Sequence, residues 1–280
     1  MKISVAVPSL NHGRFLTDCL SSIRQQSYEN FEVLVADGGS RDESADVIAT
    51  FCNADPRFRL VSREDRGQAD AVAKALQAAT GEICCFLNAD DVYLHERVFE
   101  TLVHEFRSDA SIRVLSGGGV YINEAGSIRK PVRLRYHPLD GPHWMKFRTA
   151  VLQPATFWRR EVMQAVRLPT DLRYAFDAWF FYDLWRLGNG WREVPVALAG
   201  YRLHGDNKSL QISPQRVLEL AALEDHKFGR GSWRGSYVRA IAAALQIVER
   251  VPAAAPALRR SIYGVTNSLS FLSAYRLPGI

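Results

Sequence analysis

Residues 81 to 91 read GEICCFLNADD, and they decide the fold. Ile83 to Leu87 is an unbroken run of apolar and thiol side chains, the pattern of a strand buried on both faces. It ends on two adjacent acids, Asp90 and Asp91. Asn and Asp at such a place serve turns or cap the helix that follows. Two neighbouring carboxylates also repel unless something positive stands beside them, and a divalent cation does this while keeping coordination positions for phosphate oxygens. Local chemistry leaves both readings open.

Working outward, Ile3 to Val7 is a β-branched-rich run, and Leu16, Cys19, Leu20 and Ile23 then recur at helical spacing. Phe31 to Ala36 is the next strand, at a distance that suits a right-handed βαβ unit. The alternation continues through a helix with Val47, Ile48 and Phe51, a strand at Phe58 to Val61, and a helix with Val72, Ala75, Leu76 and Ala79. This grammar predicts a parallel sheet covered on both faces, with ligands bound beyond the carboxyl ends of its strands. Those ends carry Pro8-Ser9, Asp37-Gly38-Gly39-Ser40, Glu64-Asp65-Arg66 and Asn88-Ala89-Asp90-Asp91. Three of the four bring acids to one rim.

After residue 110 the parallel pattern is expected to end. RVLSGGGVYINEAGSIRKP reads as strands joined by a turn at Glu124-Ala125-Gly126. Residues 155 to 200 hold a short helix and then the helical LRYAFDAWFFYDLWRLG, a strand follows across Val194 to Leu203, and everything beyond Ser213 reads helical.

With 280 residues, 47% hydrophobic and 23% charged, the chain has the composition of a globular protein large enough for one α/β domain with a helical appendage. The net charge of +5 comes from scattered Arg, which disfavours nucleic acid as a partner and suits an anionic substrate or membrane surface. Cys19, Cys52, Cys84 and Cys85 show no zinc spacing and read as reduced core thiols of a cytoplasmic protein. MKISVAVPSL is too short before Pro8 for a signal peptide. No uncharged run reaches the roughly 18 residues of a membrane span.

The segment VPSLNHGRFLTDCLSSIRQQSYENFEVLVADGGSRDES, followed by EDRGQADAVAKALQAATGEICCFLNADDVY, resembles the nucleotide-binding half of the family 2 glycosyltransferases. The likeness is close over residues 1 to 110 and looser through QPATFWRR, YAFDAWFFYDLWRLG and YRLHGDNKS, to about residue 210. It implies a Rossmann-like, mostly parallel sheet flanked by helices, of the A-type glycosyltransferase (GT-A) kind, with C-terminal helices. Residues 1–110 would bind the nucleotide-sugar, residues 111–212 would hold the acceptor and the catalytic half of the same domain, and residues 213–280 would be a helical extension.

Residue by residue, the resemblance places Pro8 and Ser9 by the base and Asp37 at the uracil, while Asp65, Arg66 and Gln68 lie in the segment that closes over the nucleoside. Asp91, at an exposed strand end, falls where the family's acidic motif binds a divalent metal, Mn2+ or Mg2+, with Asp90 beside it near ribose or metal. The commoner motif is Asp-x-Asp-Asp; this chain has Asn88 in the first place, which can bond but carries no charge. His204 resembles a metal- or diphosphate-reaching His, and Lys208 would neutralise phosphate charge.

Asp177 stands where the family carries its general base, although a helix cap would use the same residue. The competing Asp183, six residues on, leaves a helix on another face and suits pairing with Arg186. The implied activity is inverting transfer of a sugar from a nucleoside diphosphate, UDP above all, to a glycan or lipid-linked acceptor in polysaccharide or surface-glycan biosynthesis. Trp144, Phe147, Phe157, Trp158, Trp179 and Trp185 are either sugar-stacking or core residues.

Arg234, Arg239, Arg250, Arg259, Arg260 and Arg276 interleave with apolar stretches. Those helices either pack on the domain or touch the inner face of the membrane peripherally. Two rival readings are a sugar-1-phosphate nucleotidyltransferase, whose Gly-rich basic stretch PSLNHGRF lacks, and a glycosyltransferase-like protein that binds nucleotide without turnover.

Overall fold

The computed structural model of the chain describes residues 1–132, 151–188, 190–208 and 213–249. They divide into two compact units, one from residues 1–132, 151–171, 183–188 and 190–204, the other from residues 172–182, 205–208 and 213–249.

In the first unit the strands β1 (Ile3–Ser9), β2 (Phe31–Asp37), β3 (Phe58–Ser62) and β4 (Ile83–Phe86) alternate with the helices α1 (Gly13–Arg24), α2 (Ser44–Ala54) and α3 (Gln68–Gln77). β1 pairs in parallel with both β2 and β4, and β2 with β3. β1, β2 and β4 are buried along their whole length, as strands covered on both faces must be. α1 turns Phe15, Leu16, Cys19, Leu20 and Ile23 inward, one apolar stripe at the helical period.

The second part of the unit contains β5 (Val92–Tyr93), α4 (Val98–Ser108), β6 (Val114–Ile122), β7 (Ile128–Pro131), β8 (Thr156–Arg159) and β9 (Trp191–Arg202). Among the described residues the nine strands form one sheet in the order β3-β2-β1-β4-β8-β6-β9-β5, with β7 pairing on β6. The expected Rossmann-like, mostly parallel sheet with flanking helices is thus present. Parallel pairing does not stop near residue 110: β8 runs antiparallel to β4 and β6, but β6 and β9 are parallel. β8 begins inside the stretch expected to start with a short helix, and 3-10 turns at Gln153–Ala155 and Arg160–Gln164 flank it. Phe157 and Trp158 are fully buried there, as core residues.

The second unit holds the first part of α5 (Phe176–Arg186) together with α6 (Pro214–Phe228) and α7 (Trp233–Glu249). Val217, Leu220 and Ala221 of α6, Val238, Ile241 and Ala242 of α7, and Ala175 share one apolar cluster. Ser213 caps α6 by accepting from the Arg216 amide, with Pro214 at the first position. Arg234 pairs with Glu224 and Arg239 with Asp225. Arg250, Arg259, Arg260, Arg276, Trp144 and Phe147 lie outside the described residues. Among the described residues no helix is long and apolar enough to cross a membrane.

The amino ends of the strands are tied by one buried acid. Glu32 lies beside Ser4 in the register of β1 and β2 and is 4% exposed. Its carboxylate accepts from Ser4 Oγ at 2.6 Å, Thr80 N at 2.7 Å, Thr80 Oγ1 at 2.8 Å, Lys2 Nζ at 3.0 Å and Arg59 Nη2 at 3.1 Å. Burial alone would raise its pKa, but these donors outweigh it and hold the carboxyl at about 2. The folded value lies below the unfolded one, so the stabilisation is complete above about pH 4.5 and is lost as pH falls towards 2. Glu32→Gln is therefore expected to cost on the order of 3 kcal/mol at pH 7. The difference from wild type should shrink steadily in urea melts run from pH 5 to pH 2.5.

Candidate functional site

Neighbouring strand ends build the rim. Ser9 and Asp37 are register partners at the ends of β1 and β2, and the Gly38 amide donates to Ser9 O at 2.8 Å. Asp37 is 7% exposed and accepts from Ser40 N at 2.9 Å and Ser40 Oγ at 2.5 Å, a turn contact that leaves a carboxylate spare lone pairs. Asp65, in the loop after β3, accepts from Gly67 N at 2.8 Å and lies against Gly38. A Cβ on Gly38 would stand 2.7 Å from Asp65 Oδ2, so a larger residue there would push the Asp65 side chain aside. Pro8 is buried, and the buried Ser9 Oγ has no hydrogen-bond partner among the described residues. Arg66 binds Asp70 through its amide at 3.1 Å and Nη2 at 3.0 Å, and the arginine holds that carboxyl at about 2.

At the end of β4 the turn Asn88–Asp91 closes through the Asp91 amide on Asn88 O at 3.0 Å. Gln68 Nε2 donates to Asn88 Oδ1 at 2.7 Å, Asn88 Nδ2 donates to Gln153 Oε1 at 2.9 Å, and Gln153 Nε2 donates to Phe86 O at 2.6 Å. Asn88 also donates to Asp91 Oδ2 at 3.4 Å. A carboxylate at position 88 could accept from Gln68 but could donate to neither Gln153 nor Asp91. The amide chain accounts physically for Asn in that place.

Asp91 corrects an expectation. It was placed at an exposed strand end and is 1% exposed, with Oδ1 accepting from Arg202 N at 2.9 Å. Burial and the charge of Asp90 push its carboxyl well above the usual range, against the bonds from Arg202 and Asn88. Arg202, itself 1% exposed, donates to Asp90 O at 2.8 Å, Glu124 O at 2.6 Å and Asp18 Oδ2 at 3.0 Å, and lies over the Phe15 ring.

That clamp carries the chain past β9 to His204, whose Nε2 stands 2.9 Å from Asp90 Oδ2 while its ring packs 4.7 Å from Phe15. His12, which the sequence reading missed, completes the group: one ligand atom each from His12, Asp90 and His204 lie within 4.8 Å of one another. His12 follows Asn11, whose φ of 54° is left-handed. Asn11 is held there by its amide on Ser40 Oγ and by the Arg41 amide on its Oδ1, both 2.8 Å. The donor set of two imidazoles and one carboxylate fits a transition ion such as Mn2+ better than Mg2+, which prefers oxygen.

Asp177 belongs to the second unit and lies in the first turn of α5, with Oδ1 accepting from Ala178 N at 2.7 Å. Burial raises its carboxyl above the usual range, opposed by amide bonds and by Arg216. Lys208 is exposed in the same unit. Asp183 faces Arg186 at 3.9 Å within the first unit. Trp179 stacks on His226, ring centroids 4.3 Å apart.

A sheet of this topology gathers Ser9, Asp37, Asp65 and Asp90 at neighbouring strand ends, and comparison with known proteins gives the family. The model of glycosyl transferase family 2 matches residues 4–166, more than half of the chain, so the protein belongs to that family and is a glycosyltransferase. An uncharacterized glycosyltransferase of Nostoc sp. is 27% identical over 80% of this chain and 73% of its own length. A PGL/p-HBAD biosynthesis glycosyltransferase of Mycobacterium bovis is 30% identical over 72% of this chain and 77% of its own length. The glycosyltransferase GlyG of Streptococcus pneumoniae is 34% identical over 39% of this chain and 37% of its own length.

Among solved structures, S. aureus TarS 1-349 in complex with UDP-GlcNAc superposes with a TM-score of 0.66 at 18% identity, covering 98% of this chain and 89% of that one. The mannosyltransferase PcManGT of Pyrobaculum calidifontis, in complex with GDP-Man and Mn2+, gives 0.63 at 18% identity, covering 98% and 85%. The fold is therefore GT-A.

Asp91→Ala is expected to leave the Arg202 amide buried and unpaired. The loss should be about 1–3 kcal/mol of stability, read as a lower urea midpoint with an unchanged far-UV spectrum.

Proposed function

We propose that the protein is an inverting glycosyltransferase that moves a sugar from a UDP-linked donor to a hydroxyl of a glycan or lipid-linked acceptor in polysaccharide or surface-glycan assembly. The observation that carries the reading is the meeting of His12, Asp90 and His204 on the rim that also bears Ser9, Asp37 and Asp65. The base would lie among Pro8, Ser9 and Asp37, with Asp37 accepting the uracil imide proton. Asp65, Arg66 and Gln68 would cover the nucleoside, and Asn88 and Lys208 would bond donor oxygens.

A divalent ion would be held by Asp90, His204 and His12, with Asp91 acting on it through the Arg202 clamp. When bound, it supplies Lewis-acid stabilisation of the charge that develops on the departing diphosphate. Asp177 would take the acceptor's proton as the hydroxyl oxygen bonds the anomeric carbon and the bond to the diphosphate breaks, with inversion. Its raised pKa supports that role, because a base of higher pKa drives proton transfer better. The +5 charge suits a phosphorylated donor. The pairing of Arg234 and Arg239 with α6 acids supports helix packing over a membrane role for these two arginines.

Three measurements test this reading. In thermal melts, UDP and UDP-sugars with MnCl2 should stabilise the protein, by about 2.7 kcal/mol at a hundred times the Kd; a shift with GDP-mannose and none with UDP overturns the base pocket. His12→Ala and His204→Ala should each weaken Mn2+ binding at least about tenfold in calorimetry without nucleotide, a loss of about 1.4 kcal/mol. Mn2+ should bind more tightly than Mg2+, and equal binding by the His12 variant would remove that ligand. Asp177→Asn should lose about a hundredfold or more in turnover with donor affinity unchanged, whereas Asp183→Asn should affect stability alone.

A further inference from the structure

Three consecutive amides lead into α5, and one side chain of α6 receives them all. Arg173 N donates to Glu219 Oε1 at 3.0 Å, and Tyr174 N and Ala175 N donate to Oε2 at 2.6 and 3.0 Å. Gln215, one turn earlier on α6, braces the carboxylate with Nε2 at 3.2 Å from Oε1. Glu219 is 7% exposed and sits beside the apolar cluster of Val217, Leu220, Ala221 and Ala175. Burying a carboxylate costs several kcal/mol unless it is fully bonded, so an apolar residue would serve mere packing here at lower cost. Of the three, the Ala175 amide belongs to the helix start, where amides have no partner within the helix and the positive end of the helix dipole favours an anion. Glu219 answers both from another helix.

Asp177 lies two residues beyond Ala175, in the first turn that these bonds anchor. We propose that Glu219 is the positioning residue of Asp177: its carboxylate fixes the entry into α5 and so the direction from which the base meets the acceptor hydroxyl. This inference rests on Asp177 being the base. It also makes the helices after Ser213 part of the catalytic apparatus.

The test uses the full chain carrying Glu219→Gln, Asp177→Asn or both. In Glu219→Gln an NH2 group replaces one carboxylate oxygen, so at least one of the three amides faces a donor. Amide hydrogen exchange across residues 173–177 should speed up at least about tenfold while the strands of the sheet keep their protection. Nucleoside diphosphate release in the presence of Mn2+, from UDP-N-acetylglucosamine, UDP-glucose or GDP-mannose, should fall about tenfold or more in kcat with donor KM unchanged. The double variant should be no slower than Asp177→Asn, because a residue acting through Asp177 has nothing further to lose.

Unchanged exchange at 173–175 overturns the inference without any donor being needed. Loss of turnover in Asp177→Asn with full turnover in Glu219→Gln overturns it alone, as do losses that multiply in the double variant. Full turnover in Asp177→Asn overturns the base assignment and this inference with it. Should Glu219→Gln not fold, Gln215→Ala loosens the same carboxylate and is expected to show the same pattern at smaller size.

Discussion

The bond between the Asp91 carboxylate and the Arg202 amide is the constraint on which the site depends. It joins positions 111 residues apart. β5 pairs with β9 through Val92 and Tyr93 alone, too little ladder to fix a register by itself. The buried acid extends that pairing by one contact, and the Arg202 guanidinium then gathers Asp90 O, Glu124 O and Asp18 around the same point. Two residues later the chain delivers His204 to Asp90. An acid in a dry place is costly unless bonded, and here that cost is offset by fastening the far end of the sheet to the turn after β4.

Much of the first unit was legible because its signals are local. Three strand-helix repeats and a fourth strand, each with its own pattern, place Ser9, Asp37, Asp65 and Asp90 on one rim from the sequence alone. Pairing across long separations was not. β5 is two residues long and carries no pattern, and β8 is a short apolar piece whose neighbours β4 and β6 decide that it is a strand. The parallel match of β6 to β9 has the same origin, and there Gly117 and Gly119 leave room for Leu198 and Ala199 of β9.

Within the site, adjacent acids in a turn point different ways, and nothing in the string Asn88-Ala89-Asp90-Asp91 says which one turns inward. His12 was missed because it follows a left-handed Asn in a loop, where no periodicity marks it. Its place between β1 and α1, at the cap position of the helix, was the available signal. Glu219 could not be found at all from sequence, because its partners are backbone amides and carry no residue code. Asn88 was visible as a departure from the commoner motif, yet its reason needed Gln68 and Gln153 as neighbours.

The two ends of β1 and β2 treat charge in opposite ways. At the amino end, Glu32 is surrounded by donors from Ser4, Thr80, Lys2 and Arg59. At the carboxyl end, Ser9 Oγ has no protein partner among the described residues, and Asp37 keeps lone pairs to spare. In a library covering every substitution, damage at residues 4, 32 and 80 would appear as lower cellular abundance of the protein. At residues 9 and 37, which the proposed function puts beside the nucleotide base, damage would show in product formation beyond any change in abundance, so the same two strands would separate folding from chemistry along their own length.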